Sequence, residues 1–145
     1  MFSLGKDAKI VRVMNAVAAG TTEQISSAVD TAGFENCAFL AAFGAITSGA
    51  VTSIKAAQCD TSGGTYADLT GTSITVADTD DNKFAVLEII KPRERYLKCY
   101  VERATQNAVI DGVWAILFNG KSLPITIDST CIGVEVHRSV AEGTA

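Results

Sequence analysis

Apolar residues in this chain fall in short runs, rich in β-branched and aromatic side chains and bounded by Gly, Asp, Asn, Ser or Thr. Few stretches hold a helical period for long. That pattern predicts an all-β domain. Strands are expected at Ile10–Ala16, Gln24–Asp30, Phe34–Ala45, Ala50–Gln58, Ser73–Ala77, Phe84–Ile90, Tyr96–Ala104, Ala108–Phe118 and Gly133–Arg138. Nine candidates suffice for an antiparallel sandwich of about eight strands.

The alternation within these runs says which faces are covered. In "RYLKCYVER", Leu97, Cys99 and Val101 share one face, and Tyr96, Lys98, Tyr100 and Glu102 share the other. That is an inside/outside pattern. By contrast, "FAVLEII" and "AVIDGVWAILF" are apolar on both faces, as strands covered on both sides are. In a thin sandwich the second face must be covered by a loop, a tail or another subunit. "ITSGAV" reads as a turn between two strands, and Asn119-Gly120 as a tight turn. Pro92 and Pro124 close segments at strand ends, where a missing N–H costs least. Residues 1–145 form one domain, with no internal repeat and no linker. Its ends, Met1–Lys9 and Ser139–Ala145, are small or polar and are expected to be flexible tails.

Composition narrows the class. A chain of 145 residues buries roughly 70% of its unfolded surface, so it needs no metal or disulfide staple. Charged residues are only 19% of the chain, below the usual quarter or so, which suggests surface kept for other subunits. The net charge of −4 argues against broad nucleic-acid binding. Six of the twelve basic residues lie between Lys83 and Arg103, predicting either a solvated strand face or a basic contact strip for an acidic partner. Cys37, Cys59, Cys99 and Cys131 form no C-x-x-C pair and read as small apolar fillers. The start lacks the apolar stretch of a signal peptide, so synthesis in a reducing cytosol is expected. Asn36–Ile54 runs 19 residues without a charge, but Gly, Ser and Thr interrupt it, and it is not read as a membrane span.

The chemical motifs fail on inspection. "DTDDN", Asp78 to Asn82, begins like a calcium loop. Lys83 stands where the loop needs glycine, and Ile89 where it needs a bidentate glutamate. A polar turn joining "TSITVA" to "KFAVLEII" is the simpler expectation. "DTAG" (Asp30 to Gly33) and "GKS" (Gly120 to Ser122) resemble nucleotide-binding fragments. Ala115 stands where a phosphate loop needs glycine, and Leu123-Pro124 prevents a following helix. His137 is the only histidine and reads as a surface residue on a last strand; one histidine cannot supply a cupin-like metal set. Asp111, alone in "NAVIDGVWAIL", reads as a bulge with Gly112 or as a structural ion pair, with Arg103 as the partner the hairpin could supply.

One long block carries a family likeness. "VADTDDNKFAVLEIIKPRERYLKCYVERATQNAVIDGVWAILFNGKSLPI" resembles the decoration, or cement, proteins of tailed-bacteriophage capsids. The shared order is an Asp-rich turn, an apolar strand, a "KP" break, "RY", then "R-x-T-x-N-A-V-I-D-G". "VAAGTTEQISSAVDTAGFENCAFLAAFGAITSGAVTSIKAAQ" is similar to the family's first half, so the likeness spans about Val17 to Thr126. It implies a jelly-roll-like sandwich, bound as a dimer or trimer to the outside of an HK97-type icosahedral shell, with the major capsid protein as partner. It implies no catalytic residue, no cofactor, no nucleic acid and no membrane. Made in the host cytoplasm, such a protein ends on the outer surface of the virion. Arg93, Arg95, Lys98 and Arg103 are the expected capsid contacts. The rival reading is a carbohydrate-binding sandwich, a lectin or host-adhesion module, since jelly rolls serve that use too.

Overall fold

A computed structural model describes residues 1–144. It is an all-β sandwich of two antiparallel sheets. A single helical turn, α1 (Leu4–Asp7), precedes eleven strands: β1 (Lys9–Met14), β2 (Val17–Gly20), β3 (Gln24–Ile25), β4 (Val29–Asp30), β5 (Phe34–Ile46), β6 (Val51–Cys59), β7 (Ala67–Asp68), β8 (Ile74–Val76), β9 (Phe84–Ile90), β10 (Tyr96–Ala104) and β11 (Ala108–Gly120). One sheet has the order β1-β11-β5-β9, with β2 also on β11; the other has β3-β10-β6-β7, with β4 on β10 and β8 on β6. Taking β1 with β2, β3 with β4, and β7 with β8 as broken single strands, this is the eight-stranded jelly roll.

The breaks have local causes. Gln24–Asp30 was expected as one strand. At its centre the Ser27 N–H donates to Val13 O of the opposite sheet, 2.9 Å, so pairing with β10 is interrupted there. Ser26 bridges the gap: its Oγ accepts from the Cys99 N–H, 2.9 Å.

Side chains from both inner faces make one core, with Phe39, Phe43, Ile54, Leu97, Ile110 and Leu117 fully buried. Each such residue contributes on the order of 2 kcal/mol of burial. The long strand β11 is bulged where the register with β5 shifts between Ile110 and Gly112. Gly112 has φ +155°, and a Cβ there would stand 2.9 Å from the Trp114 ring. The bulge turns Asp111 outward, where it is exposed. Asp111-Gly112 is thus a bulge, and Arg103 is not its partner.

The chain ends make contacts of their own. Near the N-terminus, Ser3 O accepts from the Lys6 and Asp7 N–H groups, and Asp7 Oδ2 accepts from the Ser3 N–H, 2.6 Å. Gly133–Arg138 is not a strand. Its Val134 and Val136 lie over Gly5, where an added Cβ would stand 2.7 and 2.8 Å from them. The free edge of β1 is met instead by Thr130, whose Oγ1 accepts from the Arg12 N–H, 2.9 Å. Asn119-Gly120 does not make a tight turn: Gly120 still pairs with Phe34. Of the tail Ser139–Ala145, Ala145 lies outside the described residues. No helix among the described residues is long and apolar enough to cross a membrane.

Candidate functional site

The outer face of the β10 sheet gathers all three tyrosines. Tyr96, Lys98, Tyr100 and Glu102 alternate outward on β10, while Leu97, Cys99 and Val101 alternate inward. Register sets Tyr100 opposite Lys55 and Glu102 opposite Ser53 of β6. Tyr66 approaches from the segment before β7 and donates its hydroxyl to Ser62 O, 3.0 Å. Partial burial, with smaller contributions from Cys59 and the other two tyrosines, pushes the Tyr66 phenol above its ordinary range.

Each ring carries a cation on one side. Lys98 Nζ lies 4.4 Å from the Tyr66 centroid, Arg95 Cζ 5.2 Å from that of Tyr96, and Lys55 Nζ 5.5 Å from that of Tyr100, within cation–π reach. Most of these charges are also paired. Lys55 bridges Asp68, 3.0 Å, and Glu102, 2.9 Å, and Glu102 further accepts from Ser53 Oγ, 3.0 Å. Those bonds hold Lys55 above and Glu102 below their ordinary values. Arg95 grips Asp30 with two bonds of 2.8 Å, a bidentate fork.

The four expected contact residues therefore do not form one basic strip. Arg95 is exposed but neutralised by Asp30. Lys98 is half-buried over Tyr66. Arg93 is exposed in the β9–β10 connection, lining a cleft of about 460 Å³ with Gln58, Asp68 and Lys91. Arg103 is only 5% exposed and points inward. Its Nε donates to Thr22 O, 2.9 Å, and its Nη1 to Ala18 O, 3.0 Å, and Ala108 O, 2.7 Å. Arg103 shares the parity of Leu97, Cys99 and Val101, and that signal alone excludes it from an outward strip. Lys55 was missed because only strand register brings it to this face, whereas Tyr66 reaches it from the loop before β7.

The remaining motif residues are accounted for by structure. Asp78 Oδ2 accepts from the Gly49 N–H, 2.6 Å, Asp81 Oδ1 from the Ile46 N–H, 2.7 Å, and Asp80 Oδ2 from the Ala77 N–H, 2.9 Å. The acidic turn thus ties the β8–β9 loop to the β5–β6 turn. Among the described residues no group of three or more His, Cys, Asp or Glu side chains is arranged to hold a metal. The "DTAG" and "GKS" fragments meet, the Lys121 N–H donating to Gly33 O, 2.8 Å, but no helix follows. His137 Nε2 lies 2.9 Å from Glu135 Oε2 in an exposed, irregular segment.

Comparison with models of known protein families and with curated protein sequences finds no match.

Proposed function

We propose that this protein is a non-enzymatic structural binding module, a decoration protein that attaches to the outside of an HK97-type bacteriophage capsid and braces capsomer junctions. The observation that carries the reading is the tyrosine–cation face: Tyr66, Tyr96 and Tyr100 beside Lys98 and Arg95 on a rigid sheet. Tyr and Arg are enriched in interface cores, Tyr because it offers large contact area at low entropic cost and Arg because its planar guanidinium stacks and donates in a fixed fork. The sequence likeness of Val76–Ile125 to cement proteins points to the same use. The mechanism is additive: each copy contributes modest area, and many copies around a closed shell raise the cost of opening any junction.

The tyrosine cluster also favours a second reading, carbohydrate binding. Sugars stack on open aromatic faces, and here each ring already carries a cation on one side, so the capsid reading is preferred. Gradient sedimentation with undecorated shells decides between them. Co-sedimentation is expected, with occupancy lowered by Arg93→Glu combined with Lys98→Glu. A protein that stays at the top of the gradient yet binds on a glycan array supports the rival.

A further inference from the structure

The opposite side of the sandwich has a different chemistry. On the outer face of the β1-β11-β5-β9 sheet, one cross-strand row runs Arg12, Trp114, Leu40, Val86 and the next Ile10, Ile116, Ala38, Glu88. Beyond them on β9, Phe84 and Ile90 are 66% and 65% exposed, and Val86 itself 51%. A sheet with one wet face alternates apolar-in and polar-out; this one is apolar on both sides. Contiguous apolar patches of such breadth mark interaction sites.

Only two charges stand in those rows, and they have opposite signs on opposite edge strands. Arg12 is on β1, 5.6 Å from the Trp114 centroid, and Glu88 is on β9. Among the described residues neither has an ion-pair partner. Turning the sheet over onto itself about a two-fold axis parallel to the strands brings β1 of one copy over β9 of the other. Arg12 then meets the second copy's Glu88, twice by symmetry, and the apolar centre covers itself. Two sheets packed face to face stand about 10 Å apart, a gap that these two long side chains can close. The size also suits: four strands about 4.8 Å apart and about seven residues long give a patch on the order of 500 Å² in projection. Side-chain relief raises the accessible area toward the roughly 800 Å² per partner of a standard interface.

We propose that this face is a homodimer interface, two copies packing sheet on sheet with Arg12 of each against Glu88 of the other. The inference does not depend on what the tyrosine face binds.

Sedimentation equilibrium of the full chain at micromolar concentration tests it, beside circular dichroism. The expected result is a dimer for the wild type and a folded monomer for Val86→Lys, whose side chain is solvent-exposed in the single copy and so does not threaten folding. Arg12→Glu and Glu88→Arg should each weaken association about tenfold or more, and the double exchange should restore it. A monomeric wild type, a Val86→Lys dimer, or no rescue by the exchange overturns the proposal. So does a dimer abolished by removing residues 139–145, which assigns the contact to an exchanged tail. A monomer whose Val86→Lys variant loses shell binding assigns the face to the capsid instead.

Discussion

Arg103 donates to the carbonyl of Ala108, five residues further on, at 2.7 Å, clamping the β10–β11 connection from inside the sandwich. The same guanidinium reaches Ala18 in β2 and Thr22 in the loop before β3. Gly20 makes room, since a Cβ there would stand 3.2 Å from Arg103 Nη2. No carboxylate takes part in this set of bonds; three carbonyls satisfy the charge. Arg103→Ala should lower stability by about 2–4 kcal/mol, because it strands carbonyl acceptors. Arg103→Lys should recover little, since an ammonium cannot reproduce the planar fork. Urea denaturation measures both, and a stable Arg103→Ala protein with impaired shell binding would return this residue to the surface.

The acidic turn makes a second structural bond set that can be tested separately. Asp81→Ala leaves the N–H of buried Ile46 without its acceptor and should cost about 1–3 kcal/mol. Millimolar calcium should leave the melting temperature of the wild type unchanged, because these carboxylates already accept from backbone amides. A calcium-dependent rise in melting temperature, abolished by Asp78→Asn, would contradict that assignment.

Acid should unfold the protein through its paired carboxyls. The Arg95 fork holds Asp30 below its ordinary value, and Lys55, then Ser53, do the same for Glu102. A group whose folded pKa is depressed contributes stability that is complete above its unfolded value and is lost as pH falls through the folded one. The loss should therefore begin near pH 4 and deepen below it. Arg95→Gln should flatten part of that dependence by lowering neutral-pH stability by the same small amount, as the pair is solvent-exposed, and should leave the acid-side stability unchanged. Equal slopes for variant and wild type in denaturant titrations would remove Asp30 from this account.

The thiols should separate cleanly. Burial pushes Cys37 and Cys99 up to about 12, Cys37 further raised by its neighbour Cys99, and both are 0% exposed. Cys131 is half-exposed. A thiol-reactive reagent should label Cys131 in the native protein, and Cys37 and Cys99 only on unfolding, since the thiolate is the reactive form. Peptide mass mapping reads this directly. Labelling of Cys99 at the rate of Cys131 would mean that the core opens.

The long strands were legible because alternation and burial agree along them; Phe84–Ile90 and Tyr96–Ala104 begin and end where expected. The two-sided apolar character of β9 and β11 also foretold an outer face in need of cover. Short elements were not legible. Ala67–Asp68 pairs through two residues only, too few to set a pattern. Val134 and Val136 do alternate, but alternation records which side is covered, not whether a ladder partner exists, and here α1 does the covering. For the tyrosine face, β10 alone announced Tyr96 and Tyr100. Lys55, Asp68 and Tyr66 join them by register across β6 and by a loop, relations that no local window contains. Arg103 misleads because its charge suggests the surface while its parity with Val101 turns it inward.

The ties at Asp78 and Asp81 bear on how this protein could carry foreign cargo. The tip at Ser48-Gly49 is exposed and would be an obvious site for splicing in a displayed peptide, yet the Gly49 amide, like that of Ile46 just before the turn, is held by a neighbouring loop. An insertion there would loosen two connections at once. The turn at Gly63 is exposed, with nothing within 4 Å of where its Cβ would stand, and offers the better point of attachment.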